Sequence, residues 1–112
     1  MTVAIIGSRE TENDYTDLII ENIPSGCTKI ISGGAVGIDT CAQNAAKRLG
    51  VDFLAYLPDY EKYGKTAPIV RNKTIIENAD YVIGFWNYTS GGTRFVIQEC
   101  LKQNKPIKVV KI

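Results

Sequence analysis

Ile30-Ile31-Ser32-Gly33-Gly34-Ala35-Val36-Gly37-Ile38-Asp39 decides how the rest of the chain is read. Its apolar opening stops at glycines, and from Ile38 the apolar residues recur at helical spacing through Cys41, Ala42, Ala45, Ala46 and Leu49. The pattern predicts strand, glycine turn, helix. At such a junction glycine lets backbone N–H groups approach a ligand closely, and the helix turns its unpaired N–H groups and positive dipole end toward the same point. The group that suits this environment is a phosphate.

Toward the amino terminus, residues 2–6 form a β-branched run that breaks at Gly7-Ser8-Arg9, and residues 14–23 predict a helix closed by Pro24-Ser25-Gly26. Residues 28–31 are the second strand. Toward the carboxyl terminus, the helix over 38–49 stops at Gly50, and a third strand over 51–57 stops at Pro58. Residues 59–67 are polar and aromatic without a clean period and read as a long loop, a type of segment that often carries function. Helical spacing resumes over 69–78, and a fourth strand over 81–85 runs into a turn-rich stretch. A last helix over 93–104 and a fifth strand over 106–110 complete the chain. Continuous apolar strands alternating with amphipathic helices predict a parallel sheet covered on both faces. Ligands bind such sheets beyond the carboxyl ends of the strands. The turns at Gly7, Gly33-Gly34 and Gly91-Gly92 each follow a strand, so all three are expected on that edge.

A length of 112 residues fits one domain covering 1–112, and a hydrophobic fraction of 45% is ordinary for a globular protein. The net charge of +1 lacks the basic excess of a dedicated nucleic-acid binder, which argues against nucleic acid as a partner. Cys27, Cys41 and Cys100 are odd in number and lack CxxC spacing, so neither a disulfide framework nor a zinc knuckle is expected. Histidine is absent, which removes His triads, imidazole bases and most transition-metal sites. No metal and no cofactor beyond a nucleotide-type ligand is expected. No apolar run approaches a membrane span, so the expectation is a soluble, cytoplasmic protein without a membrane partner.

Ser32, Ser90 and Thr93 carry hydroxyls able to cap a helix or donate to phosphate. Arg94 stands in the first turn of the last helix, where the dipole disfavours a cation and a bound anion would favour one. Asp39 suits the dipole at the start of its helix and could accept from ribose hydroxyls. Lys65 lies in the polar stretch and Arg71-Asn72 opens the following helix beside the ligand edge. Trp86 and Tyr88 could stack on a base or cover the sheet edge.

These stretches together resemble the SLOG superfamily, which includes DprA and the LOG-type proteins, and most of all its short YspA-type members. The residues that carry the resemblance are Gly7-Ser8-Arg9, Ser32 with Gly33, Gly34, Ala35, Val36, Gly37, Ile38 and Asp39, then Pro58-Asp59-Tyr60, Lys62-Tyr63-Gly64-Lys65, Arg71-Asn72, Ala79-Asp80, Phe85-Trp86 and Ser90-Gly91-Gly92-Thr93-Arg94. The resemblance implies a Rossmann-like three-layer α/β sandwich, a parallel five-stranded sheet in the order 3-2-1-4-5 with helices on both faces, in a fold that commonly forms homodimers. It also implies a nucleotide or nucleotide-derived ligand held by the glycine turns.

Three functions follow as expectations. In the first the chain binds or senses a nucleotide-derived small molecule, with phosphate on the backbone N–H groups of Gly33 to Gly37 and Gly91 to Thr93 and with Arg9, Arg71 and Arg94 as partners. In the second it is a LOG-like phosphoribohydrolase cleaving an N-glycosidic bond, with Arg71 steadying phosphate or base and Glu99 or Glu77 as the carboxylate. The LOG motif has its glutamate close behind the glycines, whereas here none occurs before Glu99, two helical turns on. Single-stranded DNA binding, as in DprA, ranks third.

Overall fold

Alternate residues of a strand face opposite sides of a sheet, so a strand buried on both sides must be apolar throughout. Strand β1 (Thr2–Gly7) meets that condition. Val3 and Ile5 enter one core with Ile30, Ile83 and Phe85, while Ala4 and Ile6 enter the other with Ile31 and Val82. The computed structural model describes residues 1–7, 13–33 and 37–112. Among them β2 (Lys29–Ser32), β3 (Asp52–Ala55), β4 (Tyr81–Trp86) and β5 (Ile107–Lys111) join β1 in one sheet of order β3-β2-β1-β4-β5, every pair parallel.

Helices α1 (Thr16–Asn22) and α2 (Ile38–Leu49) cover the first core through Ile19, Ile38, Ala42 and Ala45. Helices α4 (Ala67–Asn78) and α5 (Gly91–Lys102) cover the second through Ile75, Ile76, Val96 and Cys100. The result is the expected Rossmann-like three-layer arrangement. Helix α1 starts beside Asp14, whose Oδ1 accepts from the Thr16 N–H at 2.9 Å and from the Thr16 hydroxyl at 2.5 Å. These bonds hold the Asp14 carboxyl below its ordinary value. Helix α2 ends at Gly50, whose φ of 69° is the left-handed cap that glycine adopts without strain.

The expected loop over 59–67 is helical instead. Asp59 caps α3 (Tyr60–Tyr63) by accepting from the Lys62 N–H at 3.1 Å, a 3-10 turn spans Gly64–Thr66, and α4 begins at Ala67 with Pro68 in its first turn. Proline is tolerated there because the first N–H groups of a helix have no partner to lose. Likewise α5 starts at Gly91, two residues before the expected boundary. Register places Ser32 beside Ala55, Gly7 beside Phe85 and Trp86 beside Lys111, so the carboxyl ends of the strands form one continuous edge. At the opposite edge Asp80 Oδ2 accepts from the Thr2 N–H at 2.7 Å and Lys105 Nζ donates to the Ala79 carbonyl at 2.5 Å. Cys27, Cys41 and Cys100 are free thiols, and among the described residues no helix is long and apolar enough to cross a membrane.

Candidate functional site

The carboxyl edge carries most of the sequence candidates that fall among the described residues, and three different physical situations hold them there. At the end of β2, Ser32 is fully buried and its hydroxyl donates to Asp39 Oδ1 in the first turn of α2. Ser32 therefore ties strand to helix. Gly33 follows, and a Cβ added to it would lie 2.8 Å from Arg71 Nη1. The approach is that close because Arg71 reaches across from α4, with Nη1 donating to the Gly33 carbonyl at 2.7 Å and Nε to Asn72 Oδ1 at 2.8 Å. Arg71 and Asn72 thus act as a pair, the asparagine orienting the guanidinium that clasps the glycine turn. Gly37, with φ of 84°, leads into α2.

At the end of β1, Gly7 is required by packing. A Cβ there would be 2.5 Å from Ile38 Cγ1 and 2.7 Å from Ile38 Cβ, so the strand end and the first residue of α2 share space that only glycine leaves open. Ser8, Arg9, Gly34 and Ala35 lie outside the described residues.

The β4–α5 turn is built from its own side chains. Asn87 Oδ1 accepts from the N–H groups of Thr89 and Ser90, both at 3.0 Å, and Trp86 Nε1 donates to the Ser90 carbonyl at 3.0 Å. Ser90 caps α5 by accepting from the Thr93 N–H at 3.4 Å, and the buried Thr93 hydroxyl donates back to Ser90 Oγ at 3.3 Å. Gly91 and Gly92 are exposed in the first turn, and a Cβ on either would meet nothing within 4 Å. Tyr88 adopts a φ of 68°, a conformation uncommon for a bulky residue, and holds its ring half exposed. That ring stands edge-on to Trp86, with centroids 5.0 Å apart at 76°. Arg94 lies over the Trp86 ring at 5.8 Å and Lys111 over the Tyr88 ring at 5.4 Å. Two rings and two cations therefore crown the end of β4. Lys111 is not legible in the sequence, since the Trp86–Lys111 register of the outer strand pair is what brings it to Tyr88.

Two candidates stand apart. Lys65 is exposed in the 3-10 turn before α4. Glu99 accepts from Gln103 Nε2 at 3.2 Å, and at a rise of about 1.5 Å per residue it lies roughly 12 Å along α5 from Gly91. Among the described residues no cluster of Cys, Asp and Glu has the proximity to hold a metal ion.

The strand order and the glycine turns that open α2 and α5 are those of Rossmann-like α/β proteins of the SLOG type. Within that class the chain belongs to the family of DNA recombination-mediator protein A, whose sequence model matches residues 1–79. The X-ray structure of DNA processing protein A (DprA) from Streptococcus pneumoniae superposes with a TM-score of 0.79 at 19% identity, covering 96% of this chain and 49% of that one. DNA processing protein A from Helicobacter pylori, solved for its single-stranded DNA binding mode, gives a TM-score of 0.74 at 24% identity over 97% of this chain and 64% of that one. The structural-genomics target TM1055 gives 0.72 at 21% identity, covering 95% and 71%. The chain thus spans about half the length of the Streptococcus protein. No curated protein sequence matches it.

These relatives correct one expectation. Net charge argued against nucleic acid as a partner, yet the Helicobacter protein with this fold binds single-stranded DNA. The physical reason is that net charge sums over the whole surface, whereas a strand of nucleic acid meets only the charges along its path. Here Arg94 and Lys111 stand over the neighbouring Trp86 and Tyr88 rings at the end of β4.

Proposed function

We propose that this chain binds single-stranded DNA across the carboxyl edge of its sheet, with phosphates at the glycine turns and bases stacked on the Trp86–Tyr88 pair. The observation that carries the reading is that pair, with the Tyr88 ring half exposed on the edge that holds the helix-opening glycines and a cation over each ring. Sequence-tolerant binding of single strands combines cations that follow the backbone with aromatic faces on which bases stack. Membership of the DNA recombination-mediator protein A family and the fold shared with the Helicobacter protein support it. A free nucleotide would use the same phosphate seat, so a mononucleotide should compete weakly with a longer strand.

The test is fluorescence anisotropy with a labelled oligothymidylate at low salt, read in parallel with the emission of Trp86, the protein's single tryptophan. Stacking should quench that emission, and Tyr88→Ala should weaken binding by about 1–3 kcal/mol. Among the described residues Arg94 and Lys111 are the cations placed over the rings, and two phosphates neutralised there on a single strand should contribute about −1.4 to the log–log salt slope. Absence of binding by the unaltered protein, or an affinity unchanged in Tyr88→Ala, overturns the proposal.

A further inference from the structure

Past the carboxyl end of β3 the chain reads Asp59-Tyr60-Glu61-Lys62-Tyr63-Gly64-Lys65. Asp59 is occupied in capping α3, and Gly64, at a φ of 58°, turns the chain out of α3 into the 3-10 turn that carries Lys65. Tyr60 and Tyr63, three residues apart, share one side of the helical turn and are 57% and 39% exposed. Lys62 Nζ lies 5.3 Å from the centre of the Tyr63 ring. Glu61 does not neutralise the lysines, since among the described residues the one ion pair joins Arg48 to Asp17. Two exposed rings and two uncompensated cations thus stand together on this corner.

The Tyr63 ring also lines a cleft of about 120 Å³ between the segment that follows β3, with Tyr56 and Leu57, and α4, with Val70 and Thr74. Arg71, which lines the cleft too, fixes its place on the sheet: Nη1 donates to the Gly33 carbonyl at 2.7 Å and to the Tyr56 carbonyl at 3.5 Å. The cleft therefore sits at the ends of β2 and β3, on the same edge as the Trp86–Tyr88 pair. From this placement we infer that Tyr63 is a second stacking position for a single strand, one base entering the cleft against the ring and the neighbouring phosphates meeting Lys62 and Lys65. The inference rests on the single-stranded DNA reading above and extends it from one cluster at β4 to a path across the sheet.

The occupant follows from what the two corners share and from the size of the cleft. All three cation–ring contacts among the described residues lie on this edge, two at the end of β4 and one beyond β3. Rings for bases beside cations for phosphates are what a sequence-tolerant single-strand site requires. A cleft of about 120 Å³ is smaller than the roughly 300–1,000 Å³ of sites that enclose a whole ligand, so it admits one ring and leaves sugar and phosphate outside with the lysines. Between the two corners lie β2 and β1. Three strand spacings of about 4.8 Å make roughly 14 Å, which about four stacked nucleotides cover.

The experiment titrates the unaltered protein, Tyr63→Leu and Tyr63→Phe with a thymidine dodecanucleotide and a thymidine dinucleotide, following the emission of Trp86, with thermal unfolding as the control for folding. Leucine keeps an apolar side chain against the cleft but cannot stack, whereas phenylalanine keeps the ring. The dinucleotide is too short to join the two corners, so the emission reports its binding at the β4 rings alone. The expected result is a dodecanucleotide affinity at least about fivefold lower in Tyr63→Leu and retained in Tyr63→Phe, with the dinucleotide affinity equal in all three. A dodecanucleotide affinity unchanged in Tyr63→Leu overturns the second position and leaves the reading at the β4 rings standing. A loss shared by Tyr63→Phe, or one that falls equally on both ligands, does the same. Absence of binding by the unaltered protein overturns both.

Discussion

Two turns on one edge begin with the same residues, Ser32-Gly33 after β2 and Ser90-Gly91 after β4, yet the protein uses them in opposite ways. In the first, the serine belongs to the strand, is fully buried and bonds forward to Asp39, while the glycine is pressed against Arg71. In the second, the serine is the helix cap and the glycines lie open in the first turn of α5 with nothing within reach of an added Cβ. The first glycine is explained by its neighbours. The second is not, and the room above it is where a ligand backbone could approach. Identical local sequence thus separates into a packed hinge between layers and an open helix terminus.

Substitutions at the glycines test this contrast most strongly. Gly7→Ala, at the third turn, drives a Cβ into the branched Cβ of Ile38 and should cost about 1–3 kcal/mol in chemical denaturation, as overpacking of a filled core does. Gly33→Ala meets the tip of a long side chain, which can swing away, so its stability loss should stay near about 1 kcal/mol or below. Its larger effect should be on DNA affinity, since Arg71 must leave the Gly33 carbonyl. Gly92→Ala should raise the melting temperature slightly, alanine being up to about 1 kcal/mol better than glycine in a helix, while weakening DNA binding if backbone approach at that turn matters. An affinity unchanged in Gly92→Ala would erase the distinction between the two turns.

The smallest effects should come from pH, and they divide the two layers. Asp14, at the head of the α1–α2 layer, has its carboxyl lowered first by the Thr16 hydroxyl and then by the Thr16 N–H. Its contribution is present above the ordinary carboxylate value of 3.8 and is lost as pH falls through the lower folded value, so Thr16→Val should flatten the acid limb of stability. Cys100, in the α4–α5 layer, is pushed up to about 11 by burial. A thiol that holds its proton more tightly when folded stabilises fully below the ordinary value of 9.0 and loses that contribution as pH rises toward about 11, so Cys100→Ala should flatten the alkaline limb. Denaturation midpoints measured across pH would show whether the two limbs belong to these two residues.

The layers were legible in the sequence because strands buried on both faces spell continuous apolar runs. The helix over 38–49 was legible to the residue, bounded by Ile38 and by the left-handed cap at Gly50. Residues 59–67 were misread because a four-residue helix is shorter than one hydrophobic period repeated, so only the Asp59 cap and the proline in the first turn of α4 announce helix there. The start of α5 was placed late because exposed glycines read as turn even when Ser90 has already capped the helix before them. At the site, Arg71-Asn72 stood out by position, but its clasp on Gly33 depends on α4 crossing the end of β2. The pairing of Lys111 with Tyr88 arises from strand register, and no local pattern encodes it.

The central position of β1 sets the order in which this molecule can assemble. β1 is the strand both halves of the sheet need, and Val3 must pair with Ile30 on one side and with Tyr81, far later in sequence, on the other. Until β4 is synthesised and docked, one edge of β1 stays bare. Loop closure on that scale slows folding, so a late, rate-setting step should bring β4 and β5 onto a preformed β3-β2-β1 half. The carboxyl edge, which needs both halves, exists only after that step.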